Sequence, residues 1–143
     1  MNPLELNAMY NVFAARGVYA APHFVTQVRD YAGRLVYRHV LRREAIVSRQ
    51  ACESLHRMLR VAITRGTGRN AMAGWSDGSA AGKTGTSDNF RDAWFCGYSS
   101  ELTTTVWMGN DDNTPLPGGG STLAAPLWSR FMRAAQVRRD AMR

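Results

Sequence analysis

Four consecutive residues near the middle of the chain have the types and spacing to do chemistry: Lys83, Thr84, Gly85 and Thr86. Alternate side chains of a strand point to the same side, so Lys83 would project a cation beside an open position at Gly85. An extended peptide could lie along such a strand and pair with its backbone. The backbone N–H just beyond the glycine could also be one donor of an oxyanion hole, which stabilises charge on a carbonyl oxygen during acyl transfer.

The same lysine raises the question of a phosphate-binding loop, in which a glycine and four further residues precede Gly-Lys-Thr or Gly-Lys-Ser. Counting back from Gly82, Asp77 occupies the position of the first glycine. Its side chain would place negative charge where backbone amides should hold an anion, and a loop precedes the lysine where a hydrophobic strand is required. The sequence therefore argues against nucleotide binding.

The spacing of apolar residues predicts the elements that position this motif. Helices are expected over residues 4–15, over about 20 residues from Glu44, and over residues 122–136. A small hairpin is expected within residues 20–40, and three neighbouring antiparallel strands within residues 80–108. The last helix is expected to face inward through five side chains: Leu123, Leu127, Trp128, Phe131 and Met132. The prediction is an α+β fold with helices flanking an antiparallel sheet.

Composition limits the class of protein. The 143 residues are 45% hydrophobic and 20% charged, which fits one domain or part of one and excludes a disordered tail. No apolar run approaches 18 residues, and the first residues do not read as a signal peptide. The net charge of +7 rests on 17 arginines and one lysine. This excess suits anionic partners, but a solvated basic face accounts for it more simply.

The two cysteines, Cys52 and Cys96, are too few for a disulfide framework, and Cys52 with His56 is at most half of a metal site. We expect two buried free thiols, no metal and no cofactor.

Further segments extend the pattern around Lys83 to nearly the whole chain. They occupy residues 3–6, 13–14, 17–19, 64–69, 92–95, 97–98, 106–109, 111–113, 118–120, 124–128 and 131–132. In this order they closely resemble the carboxy-terminal half of the transpeptidase domain of class A penicillin-binding proteins. The resemblance implies a partial serine transpeptidase fold, which is β-lactamase-like, over residues 1–143.

The resemblance also implies a function. In that family a serine attacks the D-Ala-D-Ala carbonyl of a peptidoglycan stem peptide, and β-lactams are trapped at the same serine. The site is built from the motifs Ser-x-x-Lys, Ser-x-Asn and Lys-Thr-Gly. Lys83 would supply positive potential as a catalytic residue, Thr84 and Thr86 would bind the substrate carboxylate, and the N–H of Thr86 would be an oxyanion donor beyond Gly85.

The first motif is absent, because the only lysine of the chain, Lys83, belongs to the Lys-Thr-Gly motif. Ser87-Asp88-Asn89 spells the second motif but follows the Lys-Thr-Gly strand directly, so we interpret it as a turn. We therefore expect a fragment of a D,D-transpeptidase that is inactive alone and depends on a missing N-terminal part. Without that part, a sheet edge and an apolar face should be exposed, which predicts marginal stability.

The expected partners are stem peptides and β-lactams in the complete domain, with no nucleic acid. The parent protein is expected at the periplasmic face of the inner membrane, anchored through a segment outside this chain. The alternative is a non-catalytic basic module that binds cell-wall peptide or another anionic polymer.

Overall fold

Helix α1 (Pro3–Ala14) opens the computed structural model, which describes residues 1–73, 75 and 78–140 but not the side chains of residues 138–140. Asn2 and Glu5 form a capping box in which each side chain accepts a hydrogen bond from the other residue's backbone N–H. At the other end, Gly17 has φ +97° and donates its N–H to the carbonyl of Val12. Both ends of the predicted first helix therefore have local causes in the sequence.

Two small sheets follow α1. Strand β1 (Val18–Tyr19) pairs with β4 (Glu44–Ala45), and β2 (Gln27–Arg29) pairs with β3 (Leu35–Arg38). The second pair is a hairpin within residues 20–40, where one was predicted. The first pair was not predicted, because two-residue strands have no recognisable alternation.

Helix α2 (Arg49–Thr64) begins five residues later than the predicted start at Glu44. The reason is that Glu44 pairs with Tyr19 in the small sheet, and Ser48 caps the helix by accepting the N–H of Ala51. The predicted start was wrong because the apolar residues before Ser48 continue the helical spacing without being helical. A 3₁₀ turn (Arg69–Met72) follows α2.

The main sheet contains β5 (Ala81–Thr86), β6 (Asp92–Tyr98) and β7 (Thr103–Gly109), antiparallel and in the order β5-β6-β7. A 3₁₀ turn (Asp88–Phe90) joins β5 to β6. After β7, a π-helical turn (Gly120–Ala124) leads into α3 (Ala125–Asp140). The α+β fold with helices flanking an antiparallel sheet is confirmed.

The largest buried cluster lies between the main sheet and α3. Trp128 and Met132 of α3 are fully buried with Phe95 of β6 and Ile63 of α2. A smaller cluster joins Leu59, Ala81 and Tyr98 to residues of α1. The sheet is thus packed by α3 on one face and by α1 on the other.

The predicted inward face of the last helix was partly wrong. Leu127 and Phe131 are exposed to 41% and 54%, whereas Trp128 and Met132 are fully buried. The helical spacing allowed a broad apolar face, and the sheet covers only part of it.

Candidate functional site

Strand β5 carries the Lys-Thr-Gly-Thr motif along an edge of the main sheet. Among the described residues β5 pairs only with β6, so its other edge is open. The strand begins buried at Ala81 and Gly82 and becomes exposed at Lys83. The motif therefore lies where the strand leaves the core, with its free edge available to an extended ligand.

The side chain of Lys83 is exposed and turns along its own strand. Its Nζ donates to the carbonyl oxygen of Thr84 at 3.0 Å and lies 3.4 Å from the Thr84 hydroxyl. The ion pairs of the described residues, Arg34–Asp30 and Arg49–Glu53, do not involve this ammonium group. Its charge is consequently not neutralised by a described carboxylate, and it can attract an anion.

The hydroxyl of Thr84 meets a second hydroxyl from outside the strand. Thr67 lies in the turn after α2, and its Oγ1 is 2.7 Å from Oγ1 of Thr84. Sequence reasoning placed Thr67 only within a segment of resemblance and missed it as a site residue. The available signal was Gly66-Thr67-Gly68, a polar turn that follows a helix packed against β5.

The hydroxyl of Thr86 is held by the glycine-rich segment before α3. Oγ1 of Thr86 accepts the backbone N–H of Gly120 at 3.0 Å. A Cβ at Gly120 would collide with the carbonyl oxygens of Gly85 and Trp94, so only glycine permits this approach. The segment thereby fixes the end of β5 while the Thr86 hydroxyl keeps its hydrogen for another acceptor.

Gly85 also has a packing role that the sequence did not predict. It pairs with Trp94 across the sheet, and a Cβ at Gly85 would lie 3.1 Å from Cβ of Trp94. The missing side chain thus lets Trp94 pack directly against the strand, on the face to which Lys83 points.

Two tryptophans and a carboxylate of β6 and β7 contact one another on the face of the sheet to which Lys83 points. Trp94 and Trp107 are cross-strand partners with ring centroids 6.1 Å apart. The Trp107 Nε1–H donates to Oδ1 of Asp92 at 2.8 Å. This hydrogen bond lowers the pKa of Asp92 below its ordinary 3.8, and a hydrogen bond with Ser87 contributes a smaller lowering.

We predict that Trp107→Phe raises the pKa of Asp92 towards 3.8, as followed by carboxyl carbon NMR shifts in a pH titration. Since the folded-state pKa is depressed, ionised Asp92 stabilises the fold above about pH 3.8, and this contribution is lost as the pH falls through the folded-state pKa. Asp112, whose pKa is lowered by Thr114, is the internal control and should not change. An unchanged Asp92 titration in the variant would contradict this assignment.

The Ser-Asp-Asn sequence after β5 is a turn, as predicted. Oγ of Ser87 accepts the N–H of Asp92 at 2.8 Å, and its carbonyl accepts the N–H of Phe90. Lys83 itself lies inside a strand, and a 3₁₀ turn rather than a long helix follows it, which does not fit a phosphate-binding loop. Asp77, which also argued against that loop, lies outside the described residues.

Both cysteines are buried and free, as predicted. Burial raises the pKa of Cys96 to about 12, so this thiol stays protonated and is a poor nucleophile. His56 pairs through Nδ1 with the Tyr98 hydroxyl at 3.2 Å. In the described part of the chain, no three His, Cys, Asp or Glu side chains are grouped to hold a metal ion.

Known protein families and proteins resemble this chain over most of its length. A family model described as the penicillin binding protein transpeptidase domain matches residues 1–133. Penicillin-binding protein 1A of Aquifex aeolicus is 36% identical over 135 residues, which cover 93% of this chain and 18% of that protein. Penicillin-binding protein 1B of Vibrio cholerae is 30% identical over 133 residues, which cover 93% of this chain and 17% of that protein.

Solved structures show the same fold. The crystal structure of penicillin-binding protein 1A from Haemophilus influenzae superposes with a TM-score of 0.84 at 20% identity, covering 94% of this chain and 26% of that one. PonA1 of Mycobacterium tuberculosis in complex with penicillin V gives 0.74 at 26% identity, with 91% and 37% covered. The chain thus spans less than a fifth of the length of these two curated relatives.

Proposed function

Because the chain belongs to the penicillin-binding protein transpeptidase family, we propose that it forms the Lys-Thr-Gly wall of a peptidoglycan D,D-transpeptidase site. The observation that carries the proposal is the position of Lys83, Thr84, Gly85 and Thr86 on an open strand edge, with the lysine charge unneutralised by a described carboxylate. In this proposal the chain binds and orients the substrate, and a second part of the same protein supplies the nucleophile.

Each residue of the wall has a proposed role. Lys83 is catalytic through its positive potential, which favours the substrate carboxylate and the ionised form of the attacking group. The hydroxyls of Thr84 and Thr86 donate to the carboxylate, and their bonds to Thr67 and Gly120 hold them in place. The N–H of Thr86 donates to the carbonyl oxygen as it gains negative charge.

The reaction proposed for the complete site is acyl transfer through a serine. The serine oxygen attacks the D-Ala-D-Ala carbonyl, the terminal D-alanine leaves, and the amine of a neighbouring stem peptide then displaces the serine. A β-lactam would acylate the same serine when its ring amide opens. This chain has no Ser-x-x-Lys, so we propose that it is inactive alone.

Exposed surfaces of the main sheet and of α3 support the proposal that another part of the protein packs against this chain. Among described residues β7 pairs only with β6, and Trp107 of β7 is 45% exposed. Leu127 and Phe131 of α3 leave further apolar surface uncovered. We propose that the part bearing the nucleophile covers these surfaces, which leaves the chain marginally stable without it.

We place the parent protein at the periplasmic face of the inner membrane, by analogy with the class A relatives. None of the helices described here has the length and hydrophobicity needed to cross a membrane. The proposed partners are stem peptides and β-lactams. The alternative, a non-catalytic basic module that binds cell-wall peptide or another anionic polymer, stays a prediction.

A chimera tests this proposal. In it, the present chain replaces the matched 135 residues of the Aquifex aeolicus protein, which supplies the rest of the domain. We expect the chimera to be labelled covalently by a fluorescent penicillin on a denaturing gel, and the 143-residue chain alone to remain unlabelled. Labelling of the chain alone would show that one of its own residues is acylated and would contradict the assignment of the nucleophile to another part.

The matched controls are the unmodified Aquifex protein and a chimera in which its nucleophilic serine is alanine. If the chimera folds cooperatively and is not labelled while the unmodified protein is, the proposed role of the chain is wrong.

A further inference from the structure

The hairpin β2–β3 has an exposed surface that the transpeptidase function does not use. Its turn is held by Asp30, whose carboxylate accepts the backbone N–H groups of Ala32 and Arg34 and pairs with the Arg34 guanidinium at 2.7 Å. Arg29 donates to the carbonyl of Gly33 at 2.8 Å. The tip is therefore a preformed turn that joins the two exposed strands.

Apolar side chains on and beside this hairpin are exposed. Every residue of β2 and β3 is exposed, including Val36 at 65%. Tyr31 at the tip is fully exposed, and Phe24 and Val40 near the base are exposed to 86% and 74%. A concentration of apolar surface on one projecting element is typical of an interaction site.

The same segment carries most of the net charge of the chain. Residues 20–43 contain five arginines against one aspartate, which gives +4 of the overall +7. Arg29 and Arg34 are used in the turn, whereas Arg38, Arg42 and Arg43 are exposed and form no ion pair with a described residue. Three guanidinium groups thus remain beside the hairpin for an acidic partner.

The outer edge of β3 can also accept a strand. His39 donates its N–H to the carbonyl of Thr26, which makes this opposed pair hydrogen-bonded. Because opposed pairs alternate along an antiparallel ladder, the next pair, Arg38 with Gln27, directs its backbone groups outward. Two-stranded sheets are marginal in water, and a third strand would satisfy these groups.

We propose that the outer edge of β3 (Leu35–Arg38), with Arg42 and Arg43, docks an extended acidic polypeptide segment as a third strand. The open backbone edge favours a polypeptide over a lipid surface or a nucleic acid, neither of which can continue the ladder. The three unpaired guanidinium groups select acidic side chains on the docked strand. The exposed valine and tyrosine side chains of the hairpin pack against the side chains that lie next to those acidic ones.

The proposal is tested with the 143-residue chain and a ten-residue peptide of alternating threonine and glutamate, compared with the same peptide carrying glutamine for glutamate. We expect binding of the acidic peptide only, and slower hydrogen exchange at the outward-facing N–H of Arg38. A triple variant in which serine replaces Arg38, Arg42 and Arg43 should bind the acidic peptide with a Kd about 10-fold higher. The control replaces Arg57, Arg130 and Arg133, which are also exposed, and should change the Kd less than about twofold.

Several outcomes would overturn the proposal. Equal weakening by both triple variants would show a diffuse charge effect, and unchanged exchange at Arg38 would exclude strand addition. Binding of phosphatidylglycerol vesicles or single-stranded DNA, but not of the acidic peptide, would assign the surface to another class of partner. Protection of Arg38 in the chimera without peptide would show that the edge is internal to the complete domain.

Discussion

Lys83→Ala should reduce the rate of penicillin acylation of the chimera by about 100-fold or more. The lysine is exposed at the open edge of β5, and neither ion pair of the described residues involves its ammonium group. Its removal therefore takes away positive potential from the open edge of β5 without breaking a buried ion pair. The rate is measured by quenching the reaction with fluorescent penicillin at increasing times and quantifying the labelled band.

Two variants make this test specific. Lys83→Arg keeps the charge and should retain more activity than Lys83→Ala, although the guanidinium group has a different shape. Arg130→Ala removes a positive charge from an exposed position on α3 and should leave the rate unchanged. Acylation of Lys83→Ala at the unsubstituted rate, with an unchanged urea midpoint, would remove Lys83 from the site.

Trp128→Ala is expected to lower the free energy of unfolding by about 3–5 kcal/mol. The Trp128 side chain is fully buried, its ring centroid lies 4.9 Å from that of Phe95 and 5.9 Å from that of Trp75, and its Nε1–H donates to the carbonyl of Thr104 at 3.0 Å. Truncation leaves a cavity between α3 and the sheet and removes a hydrogen bond. Urea denaturation followed by far-UV circular dichroism gives the change.

Phe131→Ala is the matched control, because Phe131 is an aromatic residue of the same helix but is 54% exposed. We expect it to cost less than about 1 kcal/mol. Should Trp128→Ala leave too little folded protein to measure, Trp128→Phe keeps part of the packing and should have an intermediate midpoint. Similar losses for Trp128→Ala and Phe131→Ala would contradict the packing of α3 described above.

Helix α3 shows how much of the structure a sequence pattern predicts. Helical spacing predicted the last helix and the burial of Trp128 and Met132, but it grouped Leu127 and Phe131 with the buried residues. Spacing reports which side chains share a helical face, whereas burial depends on how much of that face a neighbour covers. Likewise, the pairing of Val18 with Ala45 involves residues far apart in sequence and strands too short to show alternation.

The sequence by itself determined the family, the α+β order of elements and the Lys-Thr-Gly-Thr motif, because turn residues, apolar spacing and short motifs are local properties. It also determined that no Ser-x-x-Lys is present, since the chain has one lysine. Only the tertiary structure decided what surrounds the motif: Thr67 beside Thr84 and Gly120 beside Thr86. These contacts join residues 17 and 34 positions apart, so they depend on how α2 and the segment before α3 pack against β5, which no local pattern specifies.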